Sequence, residues 1–151
     1  MSSELNIINH IKIKAPAATI WDTLTNPEIT KAYMFGCETN SEWEIGSELL
    51  WEGEYQGMKM VFVKGHVVLL EPNTLLVYTV FDPNSTIPDL PENYLTVTYQ
   101  LQQMEDHTIL TVTQGDYNKV AEGERRYRES WNNGVGWSAI LDEIKNISEA
   151  S

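Results

Sequence analysis

Residues Gly136-Trp137-Ser138-Ala139-Ile140-Leu141-Asp142-Glu143-Ile144 constrain the fold more than any other segment of the chain. Trp137, Leu141 and Ile144 lie four and three residues apart, so a helix stacks them on one face, and that face must be buried. Just upstream, Asn132-Asn133-Gly134-Val135-Gly136 places two glycines in the same helical segment. Each costs a helix interior about 1 kcal/mol relative to alanine. The pair marks a position where bulk is unwelcome, through close backbone packing or through space kept for a ligand. Apart from two short helices near its start, the chain before about Tyr117 reads as strands. A long closing helix, thinned at its middle and laid over a sheet, has the outline of a binder of hydrophobic ligands.

The strand reading rests on period-two alternation. From Leu5 to Lys14 the odd positions Ile7, Ile11 and Ile13 are apolar, with Asn9 breaking the set. Ala15-Pro16 ends that strand and starts a helix over Ala17 to Leu24, with Ile20, Trp21 and Leu24 on one face. Asn26-Pro27 repeats the device, cap and first helical residue, for a second helix through about Tyr33. Turns follow at Trp43 to Ser47 and at Glu54 to Gly57. Met58 to Leu70 is crowded with Val61, Val63, Val67 and Val68 and reads as a strand, in which Gly65 predicts a bulge or bend. Thr74 to Phe81, Tyr94 to Gln103 and Thr108 to Gln114 are further strands. Leu95, Val97, Tyr99 and Leu101 share one face of the second of these.

Between Asp82 and Asn93, Pro83, Pro88 and Pro91 lack backbone donors and restrict their neighbours, so this stretch is not an internal strand. Loops of this length in compact domains are usually functional or mobile. Ile87, Leu90 and Tyr94 are expected to close over an entrance here. Repeats, linkers and low-complexity tracts are lacking, so a single domain over 1–151 is expected. The order is one strand, two short helices, six strands and a closing helix. Short successive connections favour an antiparallel sheet, and a long antiparallel sheet curls. The expected class is therefore α+β, a helix-grip fold: a curved antiparallel sheet, two short helices, and a long C-terminal helix over the concave face.

Several local patterns, in order along the chain, strengthen that expectation. They are Ala15-Pro16-Ala17 with Ile20-Trp21 and Leu24; Asn26-Pro27-Glu28; the Gly46 turn; Lys64-Gly65-His66-Val67 leading to Glu71-Pro72 and Leu76-Val77-Tyr78-Thr79; Thr108 with Leu110; and Gly136-Trp137 with Leu141 and Ile144. Together they resemble the Bet v1/START-like (SRPBCC) superfamily, and within it the branch related to the C-terminal domain of the Hsp90 ATPase activator. The resemblance implies a shared scaffold and cavity. It does not imply a catalytic constellation, and ligands diverge on one scaffold.

Charge and composition exclude other classes. A net charge of -12 and a pI of about 4.5 repel phosphate backbones and anionic lipid, so neither nucleic acid nor a membrane is an expected partner. Arg125, Arg126 and Arg128 alternate with Glu122, Glu124 and Glu129, which reads as a solvated helix face with local ion pairs. No secretory pattern opens the sequence, and no apolar run approaches the roughly 20 residues that span a bilayer, so a cytoplasmic protein is expected. Cys37 is the single cysteine and reads as a packing residue. His10, His66 and His107 have no ligand spacing; no metal site and no cofactor are expected. Nucleophile elbows and phosphate loops are lacking. Glu52 with Glu54, and Asp116 beside Tyr117, could act as acid or base if one faced an apolar cavity. A solvated outer face accounts for them more simply.

Aromatics give the better lead. Tyr127 and Trp131 lie four residues apart and Val135 continues their face, about a third of a turn from the Trp137 stripe. The first half of the closing helix is thus expected to look into a partly open interior, and the second half to pack on the sheet. Trp51, Met60, Phe62, Tyr78, Val97 and Tyr99 are expected to face that interior, so with Tyr127, Trp131 and Val135 they form the candidate ligand-binding set. Tyrosine and tryptophan supply the few polar groups a mostly apolar pocket needs. The leading expectation is a small apolar or amphipathic ligand bound by a monomer or homodimer. The alternatives are a chaperone-associated interaction domain and, third, an enzyme of the cyclase or dehydratase type.

Overall fold

A computed structural model describes residues 4–151 of the protein. Strand β1 (Ile7–Ile13) leads to helices α1 (Ala17–Thr25) and α2 (Pro27–Tyr33). Six strands follow: β2 (Glu38–Ser41), β3 (Glu48–Tyr55), β4 (Met58–Glu71), β5 (Leu75–Val80), β6 (Leu95–Gln103) and β7 (Thr108–Gly115). Helices α3 (Gly123–Trp131) and α4 (Ser138–Glu149) close the chain. The seven strands form one antiparallel sheet in the order β1-β7-β6-β5-β4-β3-β2. β1 and β2 are therefore opposite edges, and α1 and α2 carry the chain from one to the other. This is the expected helix-grip arrangement.

Local chemistry explains the elements. The Asn26 side chain accepts a hydrogen bond from the Glu28 N–H at 3.0 Å and Pro27 fills the first turn of α2, satisfying a helix end that has no intrahelical partner. Alternation in β6 buries Leu95, Val97, Tyr99 and Leu101. Opposite them α4 buries Leu141 and Ile144, and α1 buries Ile20 and Leu24. The Thr23 and Ser148 hydroxyls meet at 3.0 Å where α1 crosses α4. No helix of the described residues is long and apolar enough to cross a membrane.

The closing helix differs from expectation. It is two helices, because Asn132, Gly134 and Gly136 all take left-handed backbone, with φ of 46°, 95° and 48°. Asn132 is the C-cap of α3, and a short 3-10 turn over Asn132–Gly134 leads to the start of α4. The two glycines are thus the break itself, since L residues with a Cβ avoid this region. Gly136 also passes close to β1: a Cβ there would lie 2.7 Å from Asn9 Oδ1 and 3.1 Å from Ile7. Asn9, which interrupts the apolar alternation of β1, accepts a hydrogen bond from the Trp137 N–H at 3.0 Å. The edge strand thereby anchors the start of α4.

Asp116 ties the other end of β1 to the sheet. Its Oδ1 accepts from the N–H groups of Leu5 and Asn118, each at 2.9 Å, and these bonds hold its pKa below the ordinary 3.8. A lowered folded-state pKa means the unfolded chain binds the proton more readily. The charged form therefore contributes stability fully above 3.8, and the contribution fades as the pH falls through the lower folded value. Asp116→Asn should accordingly be less stable than wild type at pH 7 and equal to it near the acid limit. Urea midpoints across the acid range check this; a gap that persists at the acid end would contradict it.

Candidate functional site

Between the sheet, the α2–β2 connection and the start of α4 lies a hollow of about 440 Å³. Trp51 of β3, Phe62 and Val63 of β4, Tyr78 and Val80 of β5, Val97 of β6 and Gln114 of β7 form its sheet side. Met34, Phe35 and Cys37 come from the connection after α2; Ser130 lies on α3, and Gly136, Trp137 and Ile140 border it at α4. The lining is mainly apolar, and three of its aromatic side chains form a chain of ring contacts: Trp51 meets Tyr78, and Tyr78 is joined to Trp137 through Tyr99 beneath. Trp51 and Tyr78 centroids are 6.2 Å apart, Tyr78 and Tyr99 5.9 Å, and Tyr99 meets Trp137 edge-on at 5.8 Å.

A bulge shapes the wall. Trp51 pairs with Val63 but Glu52 pairs with Val61, so Phe62 is the extra residue on β4. An inserted residue locally upsets the strict alternation of faces, and the consecutive Phe62 and Val63 both line the hollow. Gly53 keeps the adjoining strand thin, since a Cβ there would approach the Phe62 ring to 3.1 Å.

Few polar groups reach the interior. The Tyr78 hydroxyl donates to the Tyr99 hydroxyl at 3.4 Å, and burial pushes both phenol pKa values well up. The Trp137 indole N–H donates to Gln114 Oε1 at 2.8 Å. An indole N–H can only donate, so the Gln114 carbonyl must face it and the amide NH₂ is turned elsewhere. Among the described residues that NH₂ has no hydrogen-bond partner. The Cys37 thiol, with its pKa raised by burial, remains a neutral apolar wall. Glu52 and Glu54 are not among the lining residues; Glu52 accepts from Asn40 at 3.0 Å on the edge of the sheet. No group of three or more potential metal ligands occurs among the described residues.

Of the nine residues expected from sequence, Trp51, Phe62, Tyr78 and Val97 come together around the hollow, and five do not. Met60 pairs with Gly53 further along the β3–β4 hairpin, beyond the lining. Tyr99 is buried beneath Tyr78 and does not reach the surface of the hollow. Tyr127 and Trp131 stack on each other at 6.2 Å, and Tyr127 meets Tyr117 edge-on at 5.5 Å, so they form a cluster of their own on α3. Val135 sits in the break, 42% exposed. The break re-aims the chain, so the face shared by Tyr127, Trp131 and Val135 on a continuous helix does not exist. Trp131, expected to matter more for binding than Trp137, lies outside the hollow while Trp137 lines it.

The sequence reading missed Met34, Phe35 and Cys37. The available cue was an apolar run, Met34-Phe35-Gly36-Cys37, in a connection where polar residues prevail. Phe35 is 86% exposed at the rim, with left-handed φ of 53°. The Asp82–Asn93 loop is also placed differently from expectation. Tyr94 stacks on Phe81 at 4.9 Å and donates to Asp89 at 2.6 Å, and Asp89 pairs with Lys64. These contacts hold Tyr94 away from the hollow, and neither Leu90 nor Tyr94 is among its lining residues. Ile87, with Asp82 and Ser85, borders instead a second, smaller hollow of about 280 Å³ that adjoins the first.

The sequence profile described as Activator of Hsp90 ATPase homolog 1-like protein matches residues 14–149. Among solved structures, a protein of Cytophaga hutchinsonii is 33% identical, with a TM-score of 0.74 over 99% of this chain and 97% of that one. The Aha1 dimer of Colwellia psychrerythraea is 19% identical, with a TM-score of 0.68 over 96% of each chain. CalU16 of Micromonospora echinospora is 20% identical, with a TM-score of 0.67 over 95% of this chain and 75% of that one. The latter two likenesses are of fold. Among curated proteins none matches significantly.

Proposed function

We propose that this chain, which belongs to the family of activator of Hsp90 ATPase homolog 1-like proteins, binds a small hydrophobic or amphipathic molecule between the sheet and α4. The observation that carries the reading is the hollow of about 440 Å³ walled by Trp51, Phe62, Val63, Tyr78, Val97, Trp137 and Ile140. Sites for small molecules have this size and this character, concave and apolar with a few placed polar groups. Removing apolar surface from water drives the binding, at about 25 cal/mol per Å² buried. Gln114 and Ser130 supply polar contacts at one end. Among the described residues the lining of this hollow is mainly apolar and uncharged, which supports a reading of binding.

Calorimetric titration of the protein with 1-dodecanol tests this. The expected result is saturable binding of one equivalent with a negative heat-capacity change, the mark of apolar burial. Absence of saturable binding overturns the proposal and leaves the chaperone-associated interaction reading in its place.

A further inference from the structure

The two hollows adjoin, and Val63, Val80, Gln114 and Ser130 line both. The larger is apolar; the smaller carries Arg125, Arg126, Glu129 and Asp82. Arg125 is spoken for: its Nε meets Glu122 at 2.9 Å and its Nη1 meets Glu129 at 3.0 Å. Arg126 is different. Only its Nη1 is engaged, with the carbonyls of Asn93 at 3.0 Å and Ala121 at 3.3 Å. Among the described residues it makes no ion pair, and its Nε and Nη2 have no partner. Those two nitrogens form one edge of the guanidinium fork, which matches the two oxygens of a carboxylate. The carbonyl contacts fix the plane of the fork, so little side-chain freedom remains to be lost. Ser130 lies one turn along α3 from Arg126, and the unpartnered Gln114 NH₂ stands at the same junction.

We infer that the ligand of the larger hollow is an amphipathic carboxylate, its chain held in the apolar hollow and its headgroup received by Arg126, with Gln114 and Ser130 as further donors. This rests on the proposed binding function and names the class of molecule it serves. The net charge of -12 opposes an anion at long range, so any preference for one must come from a local group. A hollow without such a group would favour the alcohol over the carboxylate, because the charged headgroup would leave water without compensation.

The test compares dodecanoate with 1-dodecanol at pH 8, by calorimetry, on wild type, Arg126→Gln and Arg125→Gln. Wild type should bind dodecanoate about tenfold more tightly than the alcohol, the order of a charge-assisted bidentate contact. Arg126→Gln should lose that preference while still binding the alcohol, which also shows that it is folded. Arg125→Gln should keep the preference, since its charge is already neutralised. If wild type binds the alcohol as tightly as the carboxylate, or if both variants lose the preference equally, the carboxylate anchor is overturned and the binding reading stands. If neither ligand binds, the binding reading itself fails. Should Arg126→Gln not fold, the wild-type ranking decides alone.

Discussion

Replacing Trp137 with alanine should lower the free energy of unfolding by about 3–5 kcal/mol, as truncation of a large buried aromatic does. The indole is only 9% exposed. It packs edge-on against Tyr99 at 5.8 Å and donates to Gln114 at 2.8 Å. Its removal takes contacts from the sheet and from α4 together, and leaves the Gln114 carbonyl without its donor. Trp131→Ala should cost less, because Trp131 is partly exposed and stacks mainly on Tyr127. Urea denaturation of both variants checks the order. A midpoint for Trp137→Ala equal to that of wild type would mean that α4 does not dock on the sheet through this side chain.

A comparable loss is expected from adding a single methyl group, in Gly65→Ala. Lys64 and Phe81 exchange both backbone hydrogen bonds, at 2.9 and 2.7 Å, and Val67 pairs with Tyr78. Between those pairs β5 folds so closely over β4 that a Cβ on Gly65 would sit 1.7 Å from the Thr79 carbonyl oxygen. That neighbour is backbone and cannot swing aside. Relief requires the two strands to separate, and overpacking of this kind costs about 3 kcal/mol at the upper end of its usual range. The distortion would run into Tyr78 and Val80, which line the hollow, so ligand affinity should fall with stability. Thermal denaturation and the dodecanol titration measure the two effects; a variant as stable as wild type would show that the close approach is not a constraint on this sheet.

How far the sequence could be read depended on how local the cause was. The alternation of β6, the Asn26 cap and the burial of Leu141 and Ile144 are set by neighbours in the chain, and pattern alone predicts them. The bulge at Phe62 is not local: it appears only when β3 and β4 are in register, and it is what brings Val63 to the wall beside Phe62. The left-handed turn at Asn132, Gly134 and Gly136 was visible as two glycines, but its effect on direction was not. A continuous helix would have put Trp131 over the interior. The break gives that place to Trp137 and leaves Trp131 to stack with Tyr127. Asn9 carried a signal of the same kind, a polar interruption in an apolar face whose partner, the Trp137 N–H, lies 128 residues away.

Binding within the hollow is most directly tested by where a bound ligand lies, and two of the five tryptophans, Trp51 and Trp137, line the hollow and report on it. Titration with 12-bromododecanol, whose heavy atom quenches indole fluorescence near contact, should give saturable quenching in wild type. The quenching should survive in Trp131→Phe and shrink in Trp51→Phe and Trp137→Phe. Quenching that never saturates, or that disappears with Trp131 and persists without Trp51 and Trp137, would place the ligand outside the hollow and contradict the account.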